Sequence, residues 1–262
     1  MLSRLGYVPL VTLDVDAGAY DAFMGRYSVH LSPLLADLAG VSAGQRALDV
    51  GCGTGMLTAE LVDRLGASSV SAADPSAPFV AAMRDRFPQV DVQQAPAEVL
   101  PYPDDTFDVA LAQLVVLFMS DPVAGVAEMA RVTRPGGVAA ACVWDHAGGQ
   151  GPLSLFWQAA RDLDPNVEDE SALAGTGEGN LTEVFTAVGL RDVEEGTLSV
   201  GVEHASFEEW WEPYTLGVGP AGAHVASLSP QAQAELRDHC RSLLPEAPFV
   251  VLAVAWAARG LA

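Results

Sequence analysis

The feature that most constrains this chain is a glycine-rich loop between an apolar strand and a helix, in the segment ALDVGCGTG (Ala47–Gly55). An apolar run that ends in an acid predicts a buried strand, and the glycines after it predict a tight turn into a helix. In such a turn, backbone N–H groups at a helix N-terminus can approach a bound molecule closely. The loop therefore favours an α/β fold with a ligand site beyond the first strand.

Strand-like and helix-like patterns alternate between residues 46 and 144, which is typical of a parallel sheet with crossover helices. The strands are predicted near Arg46–Val50, Ser69–Ala73, Val90–Gln94, Val109–Ala112 and Val138–Trp144, and helices are predicted to begin after Gly55, Ser76 and Asp121. Further strands near Asp192–Glu203 and Phe249–Ala257 complete the pattern. The sequence predicts a Rossmann-like, doubly wound, mostly parallel seven-stranded sheet.

Two acids near the loop indicate the chemistry of the ligand. Met56 stands where the nicotinamide fingerprint G-x-G-x-x-G requires its last glycine. Asp49 would repel a phosphate but would attract an ammonium group. Asp74 follows the second predicted strand, where an acid can accept hydrogen bonds from ribose hydroxyls. A ligand with a ribose and an ammonium group but no phosphate describes S-adenosylmethionine.

The charge of the chain restricts its partners. Asp and Glu number 34 against 13 basic residues, giving a formal net charge of −21, a field that would repel nucleic acid and anionic lipid. We therefore expect a small-molecule substrate, no nucleic-acid or membrane partner, and a monomer or homodimer. Cys52, Cys142 and Cys240 form no CxxC motif, so no metal site is expected, and the lack of a signal-peptide pattern predicts a cytoplasmic protein.

Five motifs in order carry a resemblance to a known family. They are YDAFMGRYS (20–28), LDVGCGTG (48–55), the acid Asp74, APAEVLPYPDDTFDVAL (95–111) and EMARVTRPGG (128–137). Through them, residues 20–144 resemble the class I S-adenosylmethionine-dependent methyltransferases, specifically the type-11 group that includes quinone-biosynthesis enzymes. The resemblance implies a class I fold and methyl transfer from S-adenosylmethionine.

The resemblance also implies roles for individual residues. In the family, the loop around Gly51 and Gly53 holds the methionine moiety, and the acid aligned with Asp74 binds the ribose. Residues aligned with Ala97 and Glu98 border the adenine. The predicted cofactor-binding set is completed by Arg26, Asp49, Cys52, Pro75 and Gln113.

One position departs from the family pattern. The family often has Asp where this chain has Pro96, and that Asp hydrogen-bonds the adenine amino group. Because Pro96 cannot make that bond, adenine recognition should rest on the Ala97 backbone and on apolar walls such as Pro75. The substitution bears on the affinity for the cofactor rather than on its identity.

A single domain is predicted over residues 1–262, with lid helices in 1–45, a cofactor-binding core in 46–144 and a C-terminal half in 145–262. Tyr20–Tyr27 resembles the family's lid helix, in which Arg26 would pair with the methionine carboxylate or form a surface salt bridge. Residues from about 205 to 248 are too many for a hairpin loop and predict a helical cap on the substrate side. Within the cap, we expect a helix over Pro230–Leu243 with Ser229 as its N-cap.

Candidate substrate residues follow the fourth and fifth strands. Gln113 could bind the methionine amino group or the substrate. A sulfonium methyl group is already activated, so alignment of the acceptor is the main requirement. A hydroxyl acceptor would also need a base, and His146 is the candidate. The alternative for His146 is a structural role. Trp210, Trp211 and Tyr214 would line a substrate pocket or form the core of the cap.

Other function classes stay open on the sequence alone. A nicotinamide-dependent oxidoreductase shares the general fold, but the third fingerprint glycine and any Tyr-x-x-x-Lys pair are missing from this chain. A non-catalytic S-adenosylmethionine-binding protein would keep the same loop. A nucleic-acid methyltransferase is disfavoured because the fourth strand ends in AQLV rather than in an Asn/Asp-Pro-Pro-aromatic motif.

Overall fold

The predicted alternation of strands and helices is confirmed in a computed structural model, which describes residues 17–262. The strands are β1 (Ala47–Val50), β2 (Val70–Asp74), β3 (Asp91–Gln94), β4 (Phe107–Gln113), β5 (Thr133–Trp144), β6 (Arg191–His204) and β7 (Phe249–Leu261). The α-helices are α1 (Ala17–Tyr20), α2 (Arg26–Leu38), α3 (Met56–Leu65), α4 (Ala77–Arg86), α5 (Pro122–Val132), α6 (Ser154–Leu163), α7 (Asn180–Ala187), α8 (Phe207–Trp211), α9 (Gly219–Ser227) and α10 (Pro230–Leu243). A π-helical segment covers Asp21–Gly25, and short 3₁₀ segments cover Ala67–Ser69, Val116–Phe118, Glu170–Ala172 and Glu212–Leu216.

The strands form one sheet in the order β3-β2-β1-β4-β5-β7-β6. All neighbours pair in parallel except β7, which is antiparallel to both β5 and β6. β1 and β2 are buried along their whole length, as expected for parallel strands covered by helices on both faces. The strand order reverses between β1 and β4, and this switch point sets where a ligand can bind.

The predicted helix starts at Met56, Ala77 and Pro122 are confirmed. Four strands, β4, β5, β6 and β7, are longer than predicted. β5 begins at Thr133 because the RPGG turn belongs to it, and β7 continues to Leu261 because it pairs with β5 on one side and with β6 on the other.

The N-terminal helix runs without a break from Ala17 to Leu38, and its Asp21–Gly25 segment is a π-turn. This turn lies against the glycine loop, where the Thr54 hydroxyl donates to Asp21 Oδ1 at 2.5 Å. π-turns of this kind occur frequently at functional sites. Of the predicted lid segment 1–45, residues 17–38 are helical, and residues 1–16 lie outside the described residues.

The segment between β6 and β7 is helical, as expected for the predicted cap, and it contains α8, the 3₁₀ segment Glu212–Leu216, α9 and α10. The Ser229 side chain caps α10 by accepting from the Ala232 N–H at 3.3 Å. The Tyr214 ring stacks on Phe156 of α6 and meets Phe23 of the N-terminal helix edge-on. These contacts join the cap to both α6 and the lid helix.

Candidate active site

A cavity of about 430 Å³ lies beyond the carboxyl ends of β1, β2 and β4, at the switch point of the sheet. A second cavity of about 30 Å³ adjoins it, and both are lined by Tyr20, Gly51, Gly53 and Gln113. The larger cavity is also lined by Asp74, Pro75, Ser76, Ala77, Pro78, Phe79, Pro96, Ala97, Glu98, Leu114, Val115, Phe118, Met119 and Ser120. The smaller one is also lined by Ser28, Asp49, Cys52, Thr54, Met56 and Leu57.

The glycine loop lines both cavities through Gly51 and Gly53. Gly51 has a φ of +69° and Gly53 a φ of +52°, both in the left-handed region that favours glycine. A Cβ on Gly51 would lie 2.5 Å from the side chain of Val115. The Gly51 N–H donates to the Ala73 carbonyl at 2.7 Å, which holds the loop against the end of β2. Glycine is therefore required at position 51 by both conformation and space.

Asp74 lies at the tip of β2 and lines the larger cavity. Its side chain is held by two backbone donors, because Oδ2 accepts from the Gly53 N–H at 2.9 Å and Oδ1 accepts from the Ser76 N–H at 2.8 Å. Burial raises the pKa of this carboxyl, and the two hydrogen bonds oppose that rise. Each oxygen retains a lone pair for a further donor, so Asp74 is oriented to accept from two hydroxyls of a ligand.

Asp49 and Gln113 line the smaller cavity with acceptor oxygens. Asp49 is 1% exposed and accepts from the Thr58 hydroxyl at 2.5 Å. Burial raises its pKa to about 7, and the nearby charge of Asp74 adds to the rise. Gln113 Nε2 donates to the Ser28 carbonyl at 3.3 Å, whereas Gln113 Oε1 is buried and has no partner among the described residues. Both acceptors would be satisfied by an ammonium group in this cavity.

The opposite end of the larger cavity is mainly apolar. Pro75, Pro96 and Ala97 line it, as does Glu98. Glu98 Oε1 accepts from the Ser120 hydroxyl at 2.9 Å and from the Asp121 N–H at 3.2 Å. Glu98 therefore joins the segment after β3 to the segment after β4, and both segments line this mainly apolar part of the cavity, which suits a purine ring.

Residues 48–141 match the family model described as "Methyltransferase domain". The matched segment is a methyltransferase domain of the class I S-adenosylmethionine-dependent type. S-Adenosylmethionine is accordingly its cofactor. The family match covers the strand ends and loops that line both cavities, whereas Tyr20 and Ser28, which also line them, lie on the N-terminal helix outside the match.

Comparisons with individual proteins agree with this assignment. The methyltransferase is 36% identical over 131 residues to the ubiquinone/menaquinone biosynthesis C-methyltransferase of Bdellovibrio bacteriovorus, covering 48% of this chain and 55% of that protein. It is 29% identical over 188 residues to an uncharacterised protein of Mycobacterium tuberculosis, covering 68% of each. In fold it is similar to the YcgJ protein of Bacillus subtilis, with a TM-score of 0.57 and 19% identity over 88% of this chain and 97% of that one.

Two predicted site residues of the methyltransferase lie away from both cavities. Arg26 forms an ion pair with Glu209 of the cap at 2.5 Å and donates to His204 Nδ1 at 3.1 Å. This guanidinium joins the lid helix to the cap, so the described structure does not support its predicted role at the methionine carboxylate. His146 also lines neither cavity, and burial lowers its pKa to about 4. Its predicted role as a base is likewise unsupported by position.

The remaining predicted residues are at the cavities, and Cys52 is among them. Its thiol is buried in the smaller cavity, and burial raises its pKa strongly, which keeps it a neutral thiol. The aromatic residues Trp210, Trp211 and Tyr214 are buried and line neither cavity. They form the core of the cap, which was one of their two predicted roles.

Sequence reasoning missed Tyr20 and Val115 as site residues. Tyr20 lines both cavities, and its hydroxyl is subject to the charges of Asp74 and Asp21, which add to the effect of burial in raising its pKa. Its position in the motif YDAFMGRYS was a usable signal. Val115 lies beside Gly51 and follows Leu114, whose φ is +62°, and nothing in the sequence indicates that turn after β4.

The ionisable side chains that line the two cavities are three acids, Tyr20 and the neutral thiol of Cys52. The acids are Asp49, Asp74 and Glu98, and no Arg or His of the described chain is among the lining residues. This charge distribution favours a cationic ligand and disfavours a pyrophosphate. Within residues 17–262, no group of three or more His, Cys, Asp or Glu side chains is placed to hold a metal ion, and no helix has the length and apolar character needed to cross a bilayer.

Proposed function

We propose that this methyltransferase transfers a methyl group from S-adenosylmethionine to a small-molecule acceptor by in-line displacement. The observation that carries the proposal is the pair of acceptors in the smaller cavity, Asp49 and the unpartnered Gln113 Oε1. They fit the ammonium group of a methionine moiety. Asp74 and the apolar end of the larger cavity fit a ribose and an adenine.

Bound S-adenosylmethionine supplies a methyl group on a positively charged sulfur, and the tasks of the chain are to hold the cofactor and align the acceptor. The glycine loop positions the methionine part, and the acids around it favour the positive charge. Because His146 lines neither cavity, we propose that alignment, without a base from this residue, carries the acceleration. The net charge of −21 and the acidic lining support a small acceptor that is neither phosphorylated nor a nucleic acid.

Calorimetric titration tests the cofactor part of the proposal. We expect S-adenosylmethionine and S-adenosylhomocysteine to bind, and NAD to bind at least about a hundredfold more weakly because no Arg or His among residues 17–262 lines the cavities to meet its phosphates. Asp49→Asn should weaken binding, and Asp63→Asn, an exposed acid on α3, is the matched control. NAD binding tighter than S-adenosylmethionine would contradict the proposal.

A methyl-transfer screen with labelled S-adenosylmethionine tests the activity. The screen begins with quinone precursors because one similar protein is named for ubiquinone/menaquinone biosynthesis. Transfer to a small molecule, and none to nucleic acid, is the expected result. Tight cofactor binding with no transfer to any acceptor class would instead favour a non-catalytic binding protein.

A further inference from the structure

A second group of buried polar atoms lies outside both cavities, on α6 and the 3₁₀ segment that follows it. Glu170 is 4% exposed, and its Oε2 has no hydrogen-bond partner among the described residues. Trp157 Nε1 and Ser154 Oγ, from residues three apart on α6, are also buried atoms with no hydrogen-bond partner among the described residues. Buried polar groups of folded proteins are nearly always paired, so three unpaired ones on one short stretch of chain call for a partner.

These atoms lie where α6 packs against the cap. Burial raises the pKa of the Glu170 carboxyl to about 7. The indole N–H of Trp157 lies close enough to this carboxyl to oppose the rise, although the two groups do not meet hydrogen-bond geometry. The charge of Glu170 also acts on Tyr214 of the cap. Phe156 stacks on Tyr214 at 4.5 Å between ring centroids, with 8° between the ring planes. The polar atoms are therefore bordered by flat aromatic surface.

The lid helix links this group to the cofactor cavities. Tyr20 lines both cavities, and Phe23, three residues later, packs edge-on against Tyr214 at 5.1 Å. Trp144, at the carboxyl end of β5, donates its indole N–H to Met24 Sδ on the same helix at 3.2 Å. The stacked rings of Phe156 and Tyr214 thus adjoin the lid helix, which also contacts the end of β5. This is the side of the sheet where an acceptor would approach the cofactor.

We propose that Glu170 and Trp157 bind a hydroxyl group of the methyl acceptor, an inference that rests on the proposed methyltransferase function. A hydroxyl donates one hydrogen bond and accepts others, so it can donate to Glu170 Oε2 and accept from Trp157 Nε1 at once. An ammonium group could only donate, and an ether could only accept. Because aromatic rings border these atoms, the acceptor class is an aromatic compound with a free hydroxyl.

The test compares three small probes on the full-length protein saturated with S-adenosylhomocysteine. Phenol offers the hydroxyl, anisole replaces its proton with a methyl group, and benzylammonium offers a cation. Saturation-transfer NMR should show phenol binding the wild type about tenfold more tightly than anisole, and Glu170→Leu should abolish that difference. Glu168→Gln, an exposed acid two residues earlier, is the control and should behave as the wild type.

Equal binding of phenol and anisole, tighter binding of benzylammonium, or a phenol preference that persists in Glu170→Leu would each overturn the proposal. Thermal unfolding gives an independent readout. Because Glu170→Leu removes an unpaired buried carboxyl, it should raise the midpoint or leave it unchanged, and a lower midpoint would show that the carboxyl is a structural partner. S-Adenosylhomocysteine affinity should be the same in all variants. If the wild type itself fails to bind S-adenosylhomocysteine, the proposed function fails rather than the acceptor site.

Discussion

Asp49 makes cofactor binding depend on pH in a direction that the structure determines. Its pKa is raised from 3.8 to about 7 because the side chain is buried, so below neutrality the free protein keeps a proton that an unfolded chain would lose. An ammonium group in the smaller cavity favours the ionised form. Binding of S-adenosylmethionine should therefore release a proton from Asp49, and the affinity should rise as the pH rises towards 7.

The size of the effect follows from the pKa. At pH 5, two units below the pKa, only about one Asp49 side chain in a hundred is ionised. The affinity for S-adenosylmethionine should therefore be about a hundredfold lower than that of the protein with Asp49 ionised, which corresponds to about 2.7 kcal/mol of binding free energy. The same group gives the opposite trend for the unliganded fold. Its contribution to the free energy of unfolding is fully present below pH 3.8 and is lost as the pH rises through about 7.

Calorimetry between pH 5 and 7.5, in buffers of different ionisation enthalpy, measures both the affinity and the number of protons released. The wild type should release close to one proton near pH 6. Asp49→Asn cannot ionise, so its affinity should be nearly independent of pH over this range and its fold should be more stable at pH 8. An affinity that is flat in the wild type, or an equally steep slope in Asp49→Asn, would refute the assignment of the ammonium group to Asp49.

Four substitutions test the rest of the site. Asp74→Asn should weaken cofactor binding by about 10- to 100-fold in calorimetry, since a charged acceptor is lost while the fold persists; unchanged affinity would mean that Asp74 does not contact the ribose. Gly51→Ala should lower the free energy of unfolding by roughly 1–3 kcal/mol in urea, because its Cβ would clash with a side chain at a positive φ; wild-type stability would show that the loop can shift. His146→Ala should change kcat less than about threefold, and a loss of 10²-fold or more would reinstate it as a base. Arg26→Ala should increase hydrogen exchange in the lid helix while leaving the sheet protected, and a change confined to the cofactor affinity would instead place Arg26 at the methionine carboxylate.

The part of the site that could be predicted lies on short stretches of the parallel sheet. Asp49 and Asp74 each follow an apolar strand, and the carboxyl ends of parallel strands meet at one edge. Their distance in space is therefore determined by the sheet, whatever the loops do. The glycine at position 51 is also predictable, since a tight turn from β1 towards α3 requires the positive φ that glycine readily adopts.

The lid could not be predicted to the same detail because of its π-turn. An extra residue in one helical turn rotates every later side chain by about 100° relative to an ideal α-helix. Tyr20, before the turn, faces the cavities, whereas Arg26, after it, faces the cap. The sequence motif showed that a helix lies here but not which of its faces meets the cofactor. Glu170 escaped notice because a polar segment such as VEDES carries no apolar period that predicts burial.

The contact that Arg26 makes in the cap also bears on the pH dependence argued for Asp49. An arginine can only donate, so His204 Nδ1 accepts from it, and the ring proton is on Nε2, which then donates to the Tyr27 oxygen at 3.2 Å. The ring is neutral in this arrangement, and burial together with the Arg26 charge lowers the pKa of His204 to about 4. The junction of lid and cap therefore stays intact at pH 5, where Asp49 is already protonated. A loss of cofactor affinity between pH 7 and pH 5 that is absent in Asp49→Asn would thus arise at Asp49 and not from protonation of His204 at this junction.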